Sequence, residues 1–340
     1  MDFPQLPKPI RDWKLNLEHP ESGHDRGRRP YFEGWYVKLV SADRSRRLAI
    51  IPGLFRGDDN KVEAFVQVLD GAAGRSWYVA YPESEYWAGR GEFVVQVGPN
   101  RFTSSGIELD IPAGIDHPAV SGKVSFESAF KPWPVTVRAP GAMGWYAYVP
   151  TLECYHGVVS FGHTLNGELT LDGSPSDFSG GRGYIEQDWG QAFPAGYVWM
   201  HTNHFNDPSI SLMASVAMIP WRRGRFPGLL VGLKTRDQFY RFATYTGAKT
   251  QVLQVTDHHV ELTVRSRDGM TCTMTADRPD GALLHAPIRS EMHKRVEETL
   301  KATVALRLTD QSGGVLLEDV GSVAGLEVHG EIEPLLHPKL

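Results

Sequence analysis

Along most of the chain, apolar and polar residues alternate with a period of two, the pattern of strands that bury one face. VEAFVQVL (62–69) and WYVAYP (77–82) flank the Gly-rich DGAAGRS and predict a β-hairpin. GEFVVQVG (91–98), GIELDIP (106–112) and GKVSFESAF (122–130) follow, each bounded by Gly, Pro, Asn or Asp. YVWMHTNHF (197–205), ISLMASVAMIP (210–220), QFYRFATY (238–245), VELTVRS (260–266), MTCTMTA (270–276) and LKATVALRLTD (300–310) continue the series. The one helix candidate is SEMHKRVEE (290–298), short and polar-faced. Turn signals recur about every 8–12 residues, the spacing of an all-β sandwich or barrel. The 35 glycines and 23 prolines suit that many turns.

At 340 residues the chain has material for about two hydrophobic cores. EGWYVKLV (33–40) and MGWYAYVP (143–150) share Gly-Trp-Tyr, a short echo that fits two similar β units. The expected division is a polar, Pro-containing surface segment over 1–25, one β unit over 26–180 and a second over 181–340. Strands can cross between such units, so the boundary is approximate.

Composition narrows the function. A net charge of −5 offers no basic excess for nucleic acid or for an anionic membrane surface. The N-terminal MDFPQLPKPIRDWKLN has no apolar core of a signal peptide, and no run approaches the roughly 18 apolar residues of a membrane span. A cytoplasmic protein is expected, with peripheral membrane contact as an option. Cys154 and Cys272 are too few for a disulfide framework and read as free thiols. Neither a Gly-x-Ser-x-Gly elbow nor a dinucleotide or phosphate-loop fingerprint occurs.

Candidate chemistry collects in four aromatic-rich stretches. In YVWMHTNHF, alternation puts Tyr197, Trp199, His201, Asn203 and Phe205 on one face, a mixture that suits a pocket with apolar walls and a few placed polar groups. Aromatic strands are more often plain core, so that reading stays open alone. YFEGWYVK places Tyr31, Glu33, Trp35 and Val37 together, and GWYAYVPTLECYHGVVSF adds Trp145, Tyr146, Glu153 and His156. GRGYIEQDWG puts Glu186 and Asp188 on one strand face. They are either a solvated edge or an acid held in an apolar pocket. No metal site is expected: His204 lies on the opposite face from His201 and Asn203, and no further acidic or His ligand lies at usable spacing.

RPYFEGWYVK (29–38), MGWYAYVPTLECYHGVVSF (143–161), FSGGRGYIEQDWGQAFP (178–194) and YVWMHTNHF (197–205) resemble, in order, the signature blocks of the tocopherol cyclase family and its bacterial relatives. VAGLEVHGEIE (323–333) is similar to the family's closing segment. The resemblance implies two lipocalin-like antiparallel β-barrel or sandwich units packed together, with few short helices. It also implies an intramolecular cyclase, an isomerase without redox cofactor or metal, that closes the chroman ring of vitamin E from a prenylated hydroquinone. Related two-barrel proteins include carotenoid hydratases, so addition of water by the same acid is the alternative. A non-catalytic carrier of a hydrophobic small molecule is another.

That chemistry asks for an acid still protonated at neutral pH, which burial and a neighbouring carboxylate can produce. Glu186 and Asp188 are the expected acid pair. Trp35, Trp145, Trp189 and Trp199 are the expected aromatic faces for a developing cation. His201, His156 or Glu33 is the expected base, and Tyr146, Glu153, Tyr197 and Asn203 complete the expected substrate site. His201 stands where plant-like members are expected to carry Gln, and Val37 where they carry an aromatic residue. Both differences bear on the substrate more than on the reaction class.

Overall fold

The computed structural model describes residues 21–59, 61–136, 139–149, 152–221 and 224–336. Twelve strands form a first antiparallel sheet: β1 (Tyr31–Val40), β2 (Arg47–Arg56), β3 (Val62–Asp70), β4 (Arg75–Tyr81), β5 (Tyr86–Ala88), β6 (Val94–Val97), β7 (Asn100–Thr103), β8 (Gly106–Ile111), β9 (Val120–Phe126), β10 (Cys154–Leu171), β11 (Ser174–Asp177) and β12 (Arg182–Gly190). Their order is β4-β3-β2-β1-β12-β10-β9-β8-β7-β6-β5, with β11 on β10. Eleven strands form a second: β13 (Gly196–Thr202), β14 (His204–Phe205), β15 (Ser211–Trp221), β16 (Gly224–Lys234), β17 (Phe239–Ala243), β18 (Lys249–Val255), β19 (His259–Arg265), β20 (Thr271–Asp277), β21 (Ala282–Pro287), β22 (Met292–Thr309) and β23 (Val315–Gly330). Their order is β17-β16-β15-β13-β23-β22-β20-β19-β18, with β14 on β23 and β21 on β22. One α-helical turn, α1 (Glu333–Leu336), follows.

Each sheet curls round its own core. Trp35, Val37 and Leu39 of β1 pack with Ile50, Val66, Val95, Phe102 and Ile185 inside the first. Val198 and Met200 of β13 pack with Leu212, Val231, Leu262, Met274 and Leu306 inside the second. Each such aliphatic side chain contributes about 1.5–3 kcal/mol on full burial. The outer faces then meet. Tyr36, Ala49, Val158, Phe161 and Tyr184 of the first sheet join Tyr197, Trp199, Met213, Leu284, Val296 and Leu300 of the second in a third core. Strands at this seam are buried on both faces, which is why all of β13 is buried. β-Bulges shift the register of β10 between Val158 and His163 and of β22 between Thr299 and Val304. They let one long strand serve the seam at one end and its own core at the other.

Several expectations change here. The expected helix over 290–298 runs into β22, because Val296, Glu298 and Leu300 alternate toward the seam. The Gly-Trp-Tyr echo is not a structural repeat: Gly34–Tyr36 lies in β1, whereas Gly144–Tyr148 is a 3₁₀ turn. The switch between sheets falls between Gly190 and Gly196, because GRGYIEQDWG pairs with β1 and β10 rather than opening the second unit. Most of the expected surface segment lies outside the described residues, and Ser22, Gly23 and His24 are buried rather than at the surface. Cys154 and Cys272 are free thiols. Among the described residues no helix is long and apolar enough to cross a membrane.

Candidate active site between the two sheets

A cavity of about 170 Å³ opens at the seam, outside both curled cores. β12 supplies its acids. Ile185 enters the first core, so the period of two sends Tyr184, Glu186 and Asp188 outward. Glu186 and Asp188 both line the cavity, with Phe32, Gly34 and Tyr36 of β1 and His156 of β10. The second sheet closes the other side with Tyr197 and Trp199 of β13, Ala217 and Ile219 of β15, and Glu327 of β23. Tyr146 and Phe226 line the half-buried rim.

His156 sits between the two acids. Its Nδ1 is 3.0 Å from Asp188 Oδ1 and its Nε2 is 3.6 Å from Glu186 Oε2. The Tyr184 hydroxyl donates to Glu186. Burial raises the Glu186 carboxyl, His156 works against the rise, Asp188 adds to it and Tyr184 opposes it, with the net result at about 7. Glu186 is therefore an acid poised near neutrality in an apolar wall.

A second carboxyl pair faces it from the other sheet. Glu298 and Glu327 are cross-strand partners of β22 and β23. Tyr36 donates to Glu298, and the Tyr197 hydroxyl donates to Glu327 Oε2 at 2.7 Å. Burial raises Glu298 to about 8, and burial followed by Glu298 raises Glu327 well above the carboxylate range. Beside them Lys38 is fully buried, its Nζ donating to the Val323 carbonyl at 2.6 Å, and burial lowers the amine to about 7.

The expected site residues therefore divide. Glu186, Asp188, His156, Tyr146, Tyr197 and Trp199 meet at the cavity. Trp35 does not: it is in the first core, because the Glu33–Trp35–Val37 face of β1 turns inward and the Phe32–Gly34–Tyr36 face turns to the seam. Glu33 is buried elsewhere, accepting from Tyr31 at 2.9 Å, Tyr86 at 2.6 Å and the His24 amide at 2.7 Å. His201 lies behind the cavity, stacked on Tyr184 with ring centroids 3.5 Å apart, and burial keeps it neutral. Asn203 ties the sheets together, its Nδ2 donating to the Gly183 carbonyl at 3.0 Å and the Phe161 carbonyl at 3.3 Å. Trp189 turns away from Asp188 and stacks on His24 and Tyr155. Trp145 is 45% exposed and stacks on Tyr146, and Glu153 is half-buried off the cavity wall.

Sequence reasoning missed Tyr36, Tyr184, Glu298 and Glu327. Tyr184 was within reach, sharing the alternating face of Glu186 and Asp188. Glu298 was hidden in a segment that reads as helical. His156, Glu186 and Asp188 also present ligand atoms within 4.8 Å of one another, a spacing that could hold a cation. Each His156 ring nitrogen already faces a carboxylate, an arrangement that suits proton transfer.

Two packed, curled antiparallel sheets, with an apolar cavity carrying acids at their seam, define a lipocalin-like, two-unit class of β protein. The chain belongs to the tocopherol cyclase-like family, whose profile matches residues 29–330. It is 22% identical to "Tocopherol cyclase, chloroplastic" of Zea mays, over 93% of this chain and 78% of that protein. It is likewise 22% identical to "Probable tocopherol cyclase, chloroplastic" of Oryza sativa subsp. japonica, over 94% and 80%. Among solved structures, an AttH-type protein of Nitrosomonas europaea matches with a TM-score of 0.55 and 13% identity, over 92% of this chain and 97% of that one. CghA matches with a TM-score of 0.54 and 10% identity, over 89% of each chain. These two speak for the fold alone.

Proposed function

We propose that this protein is an acid–base cyclase that closes an oxygen ring on a prenylated hydroquinone or a similar isoprenoid. The observation that carries the reading is Glu186: a buried carboxyl, raised to about 7, facing an apolar cavity 3.6 Å from a histidine held by Asp188. The Glu186 proton forms a new C–H bond with the less substituted alkene carbon, and the π pair leaves a cation on the tertiary carbon. The rings of Trp199, Tyr36 and Tyr197 stand round this space, and a desolvated cation gains about 2 kcal/mol from a well-placed aromatic face. The phenol oxygen closes the C–O bond and gives its proton to His156, which returns it to Glu186. Nothing is gained or lost, so substrate and product have the same mass.

Holding oxygen and carbon together can itself supply effective molarities of about 10⁵–10⁸ M. The cavity of about 170 Å³ has room for roughly a dozen water-sized groups at about 10–15 Å³ each. That suits the reacting ring and first isoprene unit, with the rest of a long tail at the rim of Tyr146 and Phe226.

Incubation with a panel of prenylated hydroquinones in detergent, followed by mass spectrometry and chromatography, tests the reading. A product of unchanged mass and new retention time supports it. A product heavier by one water points to a hydratase, and binding without conversion points to a carrier; either outcome overturns the cyclase.

A further inference from the structure

Four arginines converge on a second pocket, on the far side of β12 from the acids. Arg26, Arg28, Arg29 and Arg289 line it, with His24, Tyr155, Trp189, Gly190 and Gln191 among the rest of the wall. The pocket is a half-open depression of about 450 Å³, inside the range of about 300–1,000 Å³ usual for small-molecule sites. Among the described residues no carboxylate lines it. In a chain of net charge −5, such a convergence of one sign is a local device rather than a general basic surface.

The guanidiniums are only lightly committed. Arg29 Nη1 reaches the Gly57 carbonyl at 3.4 Å. Arg289 Nη1 donates to Gln191 Oε1 at 2.9 Å, which aims it across the pocket, and its Nε is 3.7 Å from Asp58. Two other nearby acids, Asp25 and Glu83, both pair with Arg56. The aromatic wall is a stack, His24 on Trp189 at 4.0 Å and 5°, and Tyr155 against Trp189 at 5.5 Å and 11°. Leu152 lines both this pocket and the catalytic cavity, so the two are neighbours.

We infer that this pocket binds a phosphate-type anion, either the headgroup of an anionic phospholipid or a free phosphoester. The planar fork of a guanidinium matches a phosphate's oxygens two at a time, and several forks in one concave site make an oxyanion receptor. The inference does not depend on the reaction proposed for the cavity.

Calorimetric titration of the full chain with inorganic phosphate and pyrophosphate, at constant ionic strength with chloride as control, tests it. Saturable binding is expected. It should weaken about tenfold or more in Arg289→Ser and further in Arg26→Ser/Arg28→Ser, since one charge-assisted hydrogen bond is worth about 1.5–3 kcal/mol. These side chains are exposed, so an unchanged melting curve is expected to show that the variants fold. Co-sedimentation with phosphatidylcholine vesicles, with and without phosphatidylglycerol, separates the sources. Capture only by the anionic vesicles, reversed by pyrophosphate, assigns a headgroup; binding of free anions without vesicle capture assigns a soluble phosphoester. No saturable binding of any of these probes, or binding unchanged in folded arginine variants, overturns the inference.

Discussion

Glu298 and Glu327 stand directly opposite each other across the β22–β23 ladder at the seam of the two sheets, Glu298 buried and Glu327 half-buried, each held by a tyrosine from a different sheet. Tyr36 comes from β1 and Tyr197 from β13. Two neighbouring carboxyls out of water cannot both ionise at low cost, so the pair retains a proton at neutral pH. It faces Glu186 from the other unit, and the charge of Glu186 helps to raise both. The seam therefore concentrates acids that a single curled sheet would keep in solvent.

Glu186→Gln is expected to lower turnover by about 100-fold or more, the span of a lost acid–base group, while leaving substrate binding intact. In the unsubstituted enzyme the rate should fall as pH rises through about 7, where the carboxyl loses its proton. Steady-state rates between pH 5 and 9 check this. A rate that stays flat across that window, or a fully active Gln variant, sinks Glu186 as the acid.

Glu298 makes folding pH-dependent in a definite direction. Its carboxyl is raised from 4.5 to about 8 by burial. Between those values the folded state holds a proton that the unfolded chain releases, so stability falls as pH rises through the window. Glu298→Gln keeps an acceptor for Tyr36 and removes the titration. Thermal melts from pH 5 to 9 should show a smaller drop in Tm for this variant.

Trp35 and Trp199 should separate by phenotype. Trp199→Leu takes an aromatic face from the cavity and is expected to lower kcat about 30-fold, from about 2 kcal/mol of lost cation stabilisation. Trp35→Leu leaves a void in the first core and should lower Tm with a much smaller effect on kcat. Melting curves and rates on the two variants check the contrast.

Gly325 makes room for Trp199. A Cβ there would lie 2.8 Å from the indole ring and 3.5 Å from Glu298 Oε1. Gly325→Ala should push the ring into the cavity, costing about 1–3 kcal/mol of stability and slowing turnover. A serine at the same place should be worse in both measurements.

Removal of metal is expected to leave activity unchanged, although His156, Glu186 and Asp188 are close enough to hold an ion. Dialysis against a chelator, with metal analysis of the protein before and after, checks it. Activity lost to the chelator and restored by one divalent ion would replace the proton-transfer account of this trio.

Much of the fold was legible because strand alternation is a local property. Side chains at i and i+2 must share a face, so the hairpin over 62–82 and the common face of Tyr184, Glu186 and Asp188 follow from sequence. The same rule put Tyr197 and Trp199 on one face and Val198 on the other, as found. It could not say which face of a doubly buried strand meets the partner sheet. Hence Trp35 and Glu33 were expected in the cavity, while Phe32, Gly34 and Tyr36 occupy it.

By itself, then, the sequence determined the class of element, the pairing of Glu186 with Asp188 and the family, since these rest on spacing along the chain. Tertiary structure alone decided that the acids lie between two curled sheets rather than inside a barrel. It alone set Glu298 beside Glu327 and Tyr36. Tyr36 is 262 residues from Glu298, and the register that pairs Glu298 with Glu327 depends on bulges farther along the same ladder; the packing of one sheet's outer face on the other then brings the tyrosine to the acids and strips away water that would keep them ionised.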